Sequence, residues 1–501
     1  MIFEAFIQGG LLLVRPEILL ILLPATIYGI VIGILPGIGG LFAVTMLLPF
    51  IYGLDPKFAL PLLVFVSAPS LSAGSLTAVL LNIPGDAPNA ATLLDGYPMT
   101  KKGQGGRAVG AALTSSAMGG LVGVVLALAV MPALMVMVKV MKTPEVWALI
   151  VVGIAFVGIL GRRSVNKGLI SGVLGLLISL IGCQANTGAA RFTFGSAFLY
   201  DGLALIPVVL GIFALPELIE MAKTGSVTGK TKLPKGIERD VMEGIKDVFR
   251  HYWLHIRSSL IGFGVGAIPG IGAGTSIFVS YGQAMKTSKH PELFGTGIVE
   301  GVIAPESANN ACHGGALLPT IGFGVPGSAG MTLLLAGFMI VGLVPGPTML
   351  SEHADIAFSL LWASAIGNTL GCLICLVFIR HAVKIAYVSA DYLLPIIGLL
   401  VVVGAFAYNH YMMDLGVLIA AGVTGYFLNR FGYSRAAFIL GFILGYRFEK
   451  YLFTALAAYG PAFLLRPIVL VLLALVVYVI ASKQINVGAA KLFRLVRGEQ
   501  R

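Results

Sequence analysis

The chain has 501 residues, 57% of them hydrophobic and 11% charged, with a formal net charge of +11. A mean hydropathy of +0.96 excludes a soluble globular or disordered protein and makes this a polytopic membrane protein. The positive charge does not denote a nucleic-acid binder, because Lys and Arg lie in short loops and the tail between apolar spans rather than on one soluble face.

Phe3 to Gly10 carries Glu4, lacks the positive region of a signal peptide and runs straight into apolar sequence, so no cleavage is expected. The first long apolar segment, Ile18 to Tyr52, contains GIVIGILPGIGG at residues 29–40. Its Pro-Gly pair removes a backbone donor and costs an uninterrupted helix roughly 3 kcal/mol, so the helix should break there. At bilayer depth such a break persists only inside protein or beside a water-filled cavity, because hydrocarbon satisfies no backbone group. The next segment, Ala59 to Leu81, runs into NIPGDAPNAATLLDGYP at residues 82–98, a second break. Further apolar segments follow at Ala108 to Val138, Val146 to Leu160, Gly168 to Gly182 and Phe198 to Leu215.

Residues 216–257 mix Lys and Arg with Glu and Asp and read as a charged cytoplasmic linker. Within it TGSVTGKT (224–231) nearly spells a phosphate loop, but Thr224 stands where the first Gly belongs and no buried strand precedes it, so it reads as linker.

The second half then repeats the first. GFGVGAIPGIGAG (262–274) places Gly266, Pro269, Gly270 and Gly272 where Gly33, Pro36, Gly37 and Gly39 stand, and GVPGSAG (324–330) follows it much as the break after Asn82 follows the first copy. Spans near Ile356 to Phe378, Leu393 to Tyr408 and Leu415 to Leu428 complete the repeat, and Ile468 to Ser482 has no first-half counterpart. The expected organisation is a first transmembrane repeat at 1–215, the linker at 216–257, a second repeat at 258–466, and an extra helix with a basic cytoplasmic tail at 467–501. The fold class is all-α, with discontinuous transmembrane helices interrupted at Pro-Gly.

Loop charge orients the halves. Lys101, Lys102, Arg107, Arg162, Arg163 and Lys167 place two first-half loops inside, whereas the matching loops carry Glu352, Asp355 and Asp414 without Lys or Arg, which implies inverted repeats. One pair disagrees, since Lys139 and Lys142 match Arg380 and Lys384. The four cysteines, including Cys372 and Cys375 in an apolar run, read as packing residues rather than a disulfide framework.

GILPGIGG (33–40), SLTAVLLNIPGDAPNAATLLDGYPMTKKGQGGRA (75–108), AIPGIGAGTSIFVSY (267–281) and APESANNACHGGALLPTIGFGVPGSAG (304–330) together resemble the large membrane subunit of the tripartite tricarboxylate transporters of bacteria. FGYSRAAFILGFILG (431–445) also fits; Ala73-Gly74-Ser75 departs from the usual Gly-Gly-Ser. The resemblance covers nearly the whole chain. It implies a multi-pass protein of the bacterial inner membrane that imports citrate-like carboxylates on an ion gradient, Na⁺ or H⁺, with a periplasmic solute-binding protein and a small membrane subunit, and with no other cofactor.

A carboxylate substrate needs positive potential without several buried arginines, and backbone N–H groups at broken-helix N-termini supply it. Gly37, Gly39, Gly270 and Gly272 are the candidates, with close helix packing through Gly29-x-x-x-Gly33 and Gly262-x-x-x-Gly266 as the alternative reason for glycine here. Ser72, Ser75 and Asn82 line the approach to the first half's second break, and Asn309 and Asn310 lie in the most polar run of the second half; either set suits carboxylate recognition or mere backbone satisfaction. Glu306 and Thr320 are the candidates for ion coupling. No Lys or Arg lies between Lys289 and Arg380 to pair with Glu306, so Na⁺ or a proton would offset its insertion cost of about 2.5 to 3.5 kcal/mol. The alternative is that Glu306 and its neighbours cap a helix. His313 suits either proton coupling or a packed hydrogen bond. A binding-protein-independent exchanger or channel would share these features. A membrane enzyme would need a nucleophile with its base, or a metal cluster, and the scattered histidines supply neither.

Overall fold

A computed structural model describes residues 2–35, 38–159, 165–184, 186–224, 240–478 and 481. The helices of the first half are α1 (Ile2–Leu13), α2 (Pro16–Ile34), α3 (Gly39–Leu47), α4 (Pro56–Leu81), α5 (Leu93–Lys101), α6 (Gly105–Lys139), α7 (Thr143–Ile159), α8 (Val165–Ser179) and α9 (Leu205–Thr224). A two-stranded hairpin, β1 (Gly182–Cys183) and β2 (Ala190–Arg191), lies between α8 and α9. The second half contributes α10 (Val241–Arg250), α11 (Tyr252–Ala267), α12 (Ala273–Thr287), α13 (Glu300–Phe323), α14 (Ala329–Ile340), α15 (Pro347–Glu352), α16 (Ala354–Val377), α17 (Ile379–Ile385), α18 (Ala390–Asn409), α19 (Met412–Arg430) and α20 (Arg435–Tyr459). Among the described residues seven helices are long and apolar enough to cross a membrane, so the chain is an all-α polytopic membrane protein. Leu20, Val125, Val136, Leu399 and Ile419 are exposed on their helices, as lipid-facing residues are.

The interruptions expected from the Pro-Gly pairs are present, and they turn the chain back. Tyr28 of α2 donates to the carbonyl of Ala43 in α3 at 3.3 Å, and Arg257 of α11 donates to Thr287 Oγ1 of α12 at 2.7 Å. Each α2–α3 and α11–α12 pair is therefore a helical hairpin rather than one span broken midway. Reversal within so few residues needs left-handed backbone, which Gly39 (φ +69°) and Gly272 (φ +65°) adopt at matched positions. Pro36 and Gly37 lie outside the described residues.

The two halves use the same contacts. Gly29 and Gly33 of α2 abut the carbonyls of Val66 and Ser70 in α4, and Gly262 and Gly266 of α11 abut those of Ala308 and Cys312 in α13, at the same shift for each helix. Asn82 and Gly324 end α4 and α13 in the same left-handed conformation. A later helix of each half packs on the other half: Gly119 and Gly123 of α6 meet Ser307 and Ala311 of α13, while Gly367 and Gly371 of α16 meet Phe65 and Pro69 of α4. Small residues allow this close approach where lipid offers no hydrophobic drive.

The chain forms two compact units, residues 1–139 with 204–426 and residues 140–203 with 427–501. The first holds both hairpins, α4, α6, α13 and α16, with a core that includes Leu76, Val79, Ala112, Leu113, Val302 and Ile303. In it α9 packs on α18 and on α19, where Gly425 meets the Ile212 carbonyl. The second unit packs α20 on α7 and α8, where Gly175 meets the Phe438 carbonyl, and Trp147, Ala148, Ala455 and Phe463 form its core.

Of the stretch expected as linker, residues 216–224 continue α9, and 241–250 form α10, which docks on α6 by placing Gly244 against Arg107 and by a 2.5 Å ion pair between Arg107 and Asp247. Residues 225–239, Arg162, Arg163 and the basic tail from 482 lie outside the described residues.

Candidate functional site

The α4 and α13 helices cross in opposite senses: Ser67 neighbours His313, and further along α4 Ser72 neighbours Asn310. Both hairpin tips arrive near this crossing, because Gly33 and Gly40 lie against Ser70 of α4 and Gly266 lies against Cys312 of α13. The segments that follow α4 and α13 fold back to the tips. Gly85 meets the Gly33 carbonyl and Gly74, and Gly327 meets the Gly266 carbonyl and Ala316.

At the crossing the side chains are polar and buried. Glu306 accepts hydrogen bonds from Thr92 Oγ1 at 2.5 Å and Ser116 Oγ at 2.6 Å, and its residue is fully buried. Among the described residues it forms no ion pair, so neutral donors, these hydroxyls with Ser75 and Asn89 beside them, are what the fold offers this carboxyl. Ser116 also accepts, through its carbonyl, the Asn368 amide at 2.9 Å. Asn368 Oδ1 in turn accepts from Ser72 Oγ at 2.7 Å and from Asn310 Nδ2 at 3.2 Å, and Asn310 Nδ2 also donates to Ser72 Oγ at 2.7 Å. Asn89 Nδ2 donates to the Leu71 carbonyl at 2.9 Å and to Ser75 Oγ at 3.0 Å. One chain of polar contacts thus runs from Glu306 through Ser116, Asn368 and Ser72 to Asn310, across α13, α6, α16 and α4.

Asn309 differs from its neighbours. It is fully buried, and neither Nδ2 nor Oδ1 has a hydrogen-bond partner among the described residues. A buried amide left with both ends free carries a desolvation cost of roughly 1 to 3 kcal/mol, which marks a functional group or a place for water. One turn further along α13, His313 contacts Ser364 Oγ at 3.0 Å and Ser67 Oγ at 3.4 Å. His313 and Ser67 line a cavity of about 10 Å³ with Val44, Val64, Gly330 and Met331, the lower limit for one water.

The two tips differ in one respect that bears on anions. At the start of α3 the Gly40 N–H donates to Asp86 Oδ2 at 3.0 Å, so an internal carboxylate already occupies that helix N-terminus. At the start of α12 the cap is Gly272, no side chain caps it, and the residue against it is the uncharged Ser328. The Gly270 N–H is taken by the Pro326 carbonyl at 3.0 Å, whereas Gly274 is exposed and a side chain there would meet open space.

The sequence candidates therefore fall into groups. Ser72, Ser75, Glu306 and Asn310 join the buried network, and Asn309 lies beside it. Gly39, Gly270 and Gly272 form the tips, and Gly37 is outside the described residues. Asn82 is exposed at the end of α4. Thr320 lies fourteen residues from Glu306 on the same helix, roughly 21 Å of rise, and its hydroxyl donates to the Ala316 carbonyl at 2.6 Å and accepts the Gly327 N–H at 3.3 Å. Sequence reasoning missed Ser116, Asn368 and Asp86. A lone amide in the apolar span around Asn368 was a usable signal; Ser116 in a small-residue helix gave none.

Residues 19–440 match the family described as Tripartite tricarboxylate transporter TctA family. The chain is 34% identical over 436 residues, 85% of its own length and 84% of the relative's, to a protein of Agrobacterium vitis called an uncharacterized 52.8 kDa protein in the TAR-I ttuC' 3' region. A second Agrobacterium vitis protein, uncharacterized and from the TAR-II ttuC' 3' region, is 33% identical over 188 residues, 38% of this chain and 78% of that protein. No solved structure matches significantly.

Proposed function

The chain belongs to the tripartite tricarboxylate transporter TctA family, and from that premise we propose that it is the large permease subunit of an ion-gradient-driven importer of tricarboxylate or dicarboxylate anions in the bacterial inner membrane. A periplasmic solute-binding protein delivers the substrate and a small membrane subunit completes the assembly. The family is a transporter family, so the polar crossing is a binding site rather than a catalytic one.

The observation that carries the substrate class is the difference between the tips. The first tip holds a carboxylate of the chain itself, Asp86, on the Gly40 amide. The second tip has the same backbone plan with Ser328 in the matched place and no side-chain cap, so a carboxylate of the substrate takes the position that Asp86 takes in the other half. Asn309 and the Glu306 network lie one helix away; Asn309 contributes the unpartnered amide, and Glu306 the group that couples uptake to Na⁺ or H⁺. In this reading Gly39, Gly270 and Gly272 shape the tips, and Ser72, Ser75 and Asn310 hold the polar crossing in place.

The halves are inverted repeats in the same proposal, supported by the opposite senses of α4 and α13 and by their matched contacts. The test is uptake of radiolabelled citrate and succinate into proteoliposomes carrying the assembled membrane subunits, with and without the binding protein and an imposed Na⁺ or pH gradient. Gradient-independent uptake, or equal uptake without the binding protein, would overturn the reading.

A further inference from the structure

The connection between α8 and α9 is unlike its counterpart. The matched connection between α19 and α20 is a four-residue turn, Phe431–Ser434, whereas residues 180–204 form a folded excursion. Gly182 pairs with Arg191 and Cys183 with Ala190. The Cys183 N–H donates to Tyr200 and the Ser196 N–H to Thr193. Arg191 is clamped by two hydrogen bonds to Glu449 of α20, at 2.6 and 2.7 Å.

On this frame Phe192 and Phe194 are held at φ +55° and +48°, and they are 59% and 90% exposed, while Thr193 between them is buried. Left-handed backbone is unfavourable for any residue with a Cβ, and exposure of a phenyl ring is unfavourable in water. A segment over-determined by an ion pair and a strand pair, yet used to present two strained aromatics, has the character of a contact surface.

We propose that Phe192 and Phe194 are the anchors by which the solute-binding protein docks on this subunit, filling apolar pockets on that protein's surface. This rests on the tripartite reading above. The side of the membrane fits, because the excursion follows the end of α8 opposite Lys167, and loop charge assigns the Lys167 end to the cytoplasm. The occupant is a protein rather than a lipid surface. Arg191, the only Lys or Arg between Gly182 and Leu203, is spent on Glu449, which leaves no cation of this segment to attract anionic headgroups, and Asn186, Thr187 and Asp201 of the same excursion are exposed and polar. Presence of the excursion in one half only also fits a partner that visits one face of the membrane.

The test uses the assembled transporter in proteoliposomes and the solute-binding protein whose omission abolishes wild-type uptake. Phe192→Ser with Phe194→Ser should raise the binding-protein concentration for half-maximal uptake by about tenfold or more, and leave counterflow of preloaded substrate without binding protein unchanged. Phe194→Gly should weaken docking while raising the melting temperature in detergent, because it relieves the left-handed strain, a pairing that a merely structural role does not produce. If wild-type uptake needs the binding protein and the double variant responds to it as wild type does, the docking surface is wrong and the tripartite reading stands. If wild-type uptake never needs the binding protein, both fall. Quenching of a Phe194→Trp fluorophore by brominated lipid, together with unchanged docking of the double variant, would assign the rings to lipid and overturn the proposal.

Discussion

Ser116 donates a 2.6 Å hydrogen bond to the Glu306 carboxylate, and the carbonyl of the same Ser116 accepts the Asn368 amide. One residue of the first half therefore ties the acidic group of α13 to the amide of α16.

Glu306→Gln keeps an acceptor but removes the ionisable group. Uptake should fall by about tenfold or more, roughly 1.4 kcal/mol of barrier, and its dependence on Na⁺ or pH should flatten. Flux measured across a series of Na⁺ concentrations and pH values decides this, and an unaltered ion dependence removes Glu306 from coupling.

Asn368→Ala and Asn309→Ala should behave oppositely. The first removes the acceptor of the Ser72 hydroxyl and the side-chain donor to the Ser116 carbonyl, while Asn310 keeps its contact with Ser72, at a cost of about 1 to 3 kcal/mol for a buried group left without its partner. The second removes an amide that already has no partner, so the melting temperature should hold or rise while uptake is lost. Thermal melts in detergent alongside transport assays separate them; an Asn309→Ala protein that melts early and transports normally contradicts the site.

The second tip offers a matched pair. Gly272→Ala forces a side chain onto φ +65° and should destabilise by roughly 1 to 2 kcal/mol. Gly274→Val meets open space in the fold, so stability should stay level while a side chain beside the start of α12 raises the substrate concentration for half-maximal uptake. Wild-type substrate affinity in Gly274→Val would move the carboxylate site away from this tip.

The proposed inverted repeats would place Lys102 inside and Tyr411 outside. Cysteines introduced at both positions and challenged with an impermeant maleimide in intact cells should label at 411 and stay protected at 102. Labelling of 102 alone, or of both, rejects the inversion.

The breaks were legible because a Pro-Gly pair in apolar sequence has few uses, and its recurrence gave the duplication. Reversal of the chain at those breaks was not, since the sequence records that a helix stops but not where the next one goes; the contacts of Tyr28 with Ala43 and of Arg257 with Thr287 are tertiary. Glu306, Asn309 and Asn310 were legible as polar residues in an apolar run. Their division of labour was not, because Asn310 finds Ser72 and Asn368 on other helices while its neighbour Asn309 finds no one. Asp86 went unnoticed for a related reason: an acid after Pro-Gly looks like any turn residue until the Gly40 amide is seen beside it.

The crossed attachment of α6 to α13 and of α16 to α4 also sets an order of events in biogenesis. The ribosome finishes α4 long before the α16 surface that Gly367 and Gly371 present to it exists, so the nascent first half is complete while its glycine seams to the second half are still unfilled. Neither half can reach its native packing as a separate polypeptide. Co-expressed as two fragments cut within residues 225–239, they should find each other and restore transport, whereas either fragment alone should be degraded.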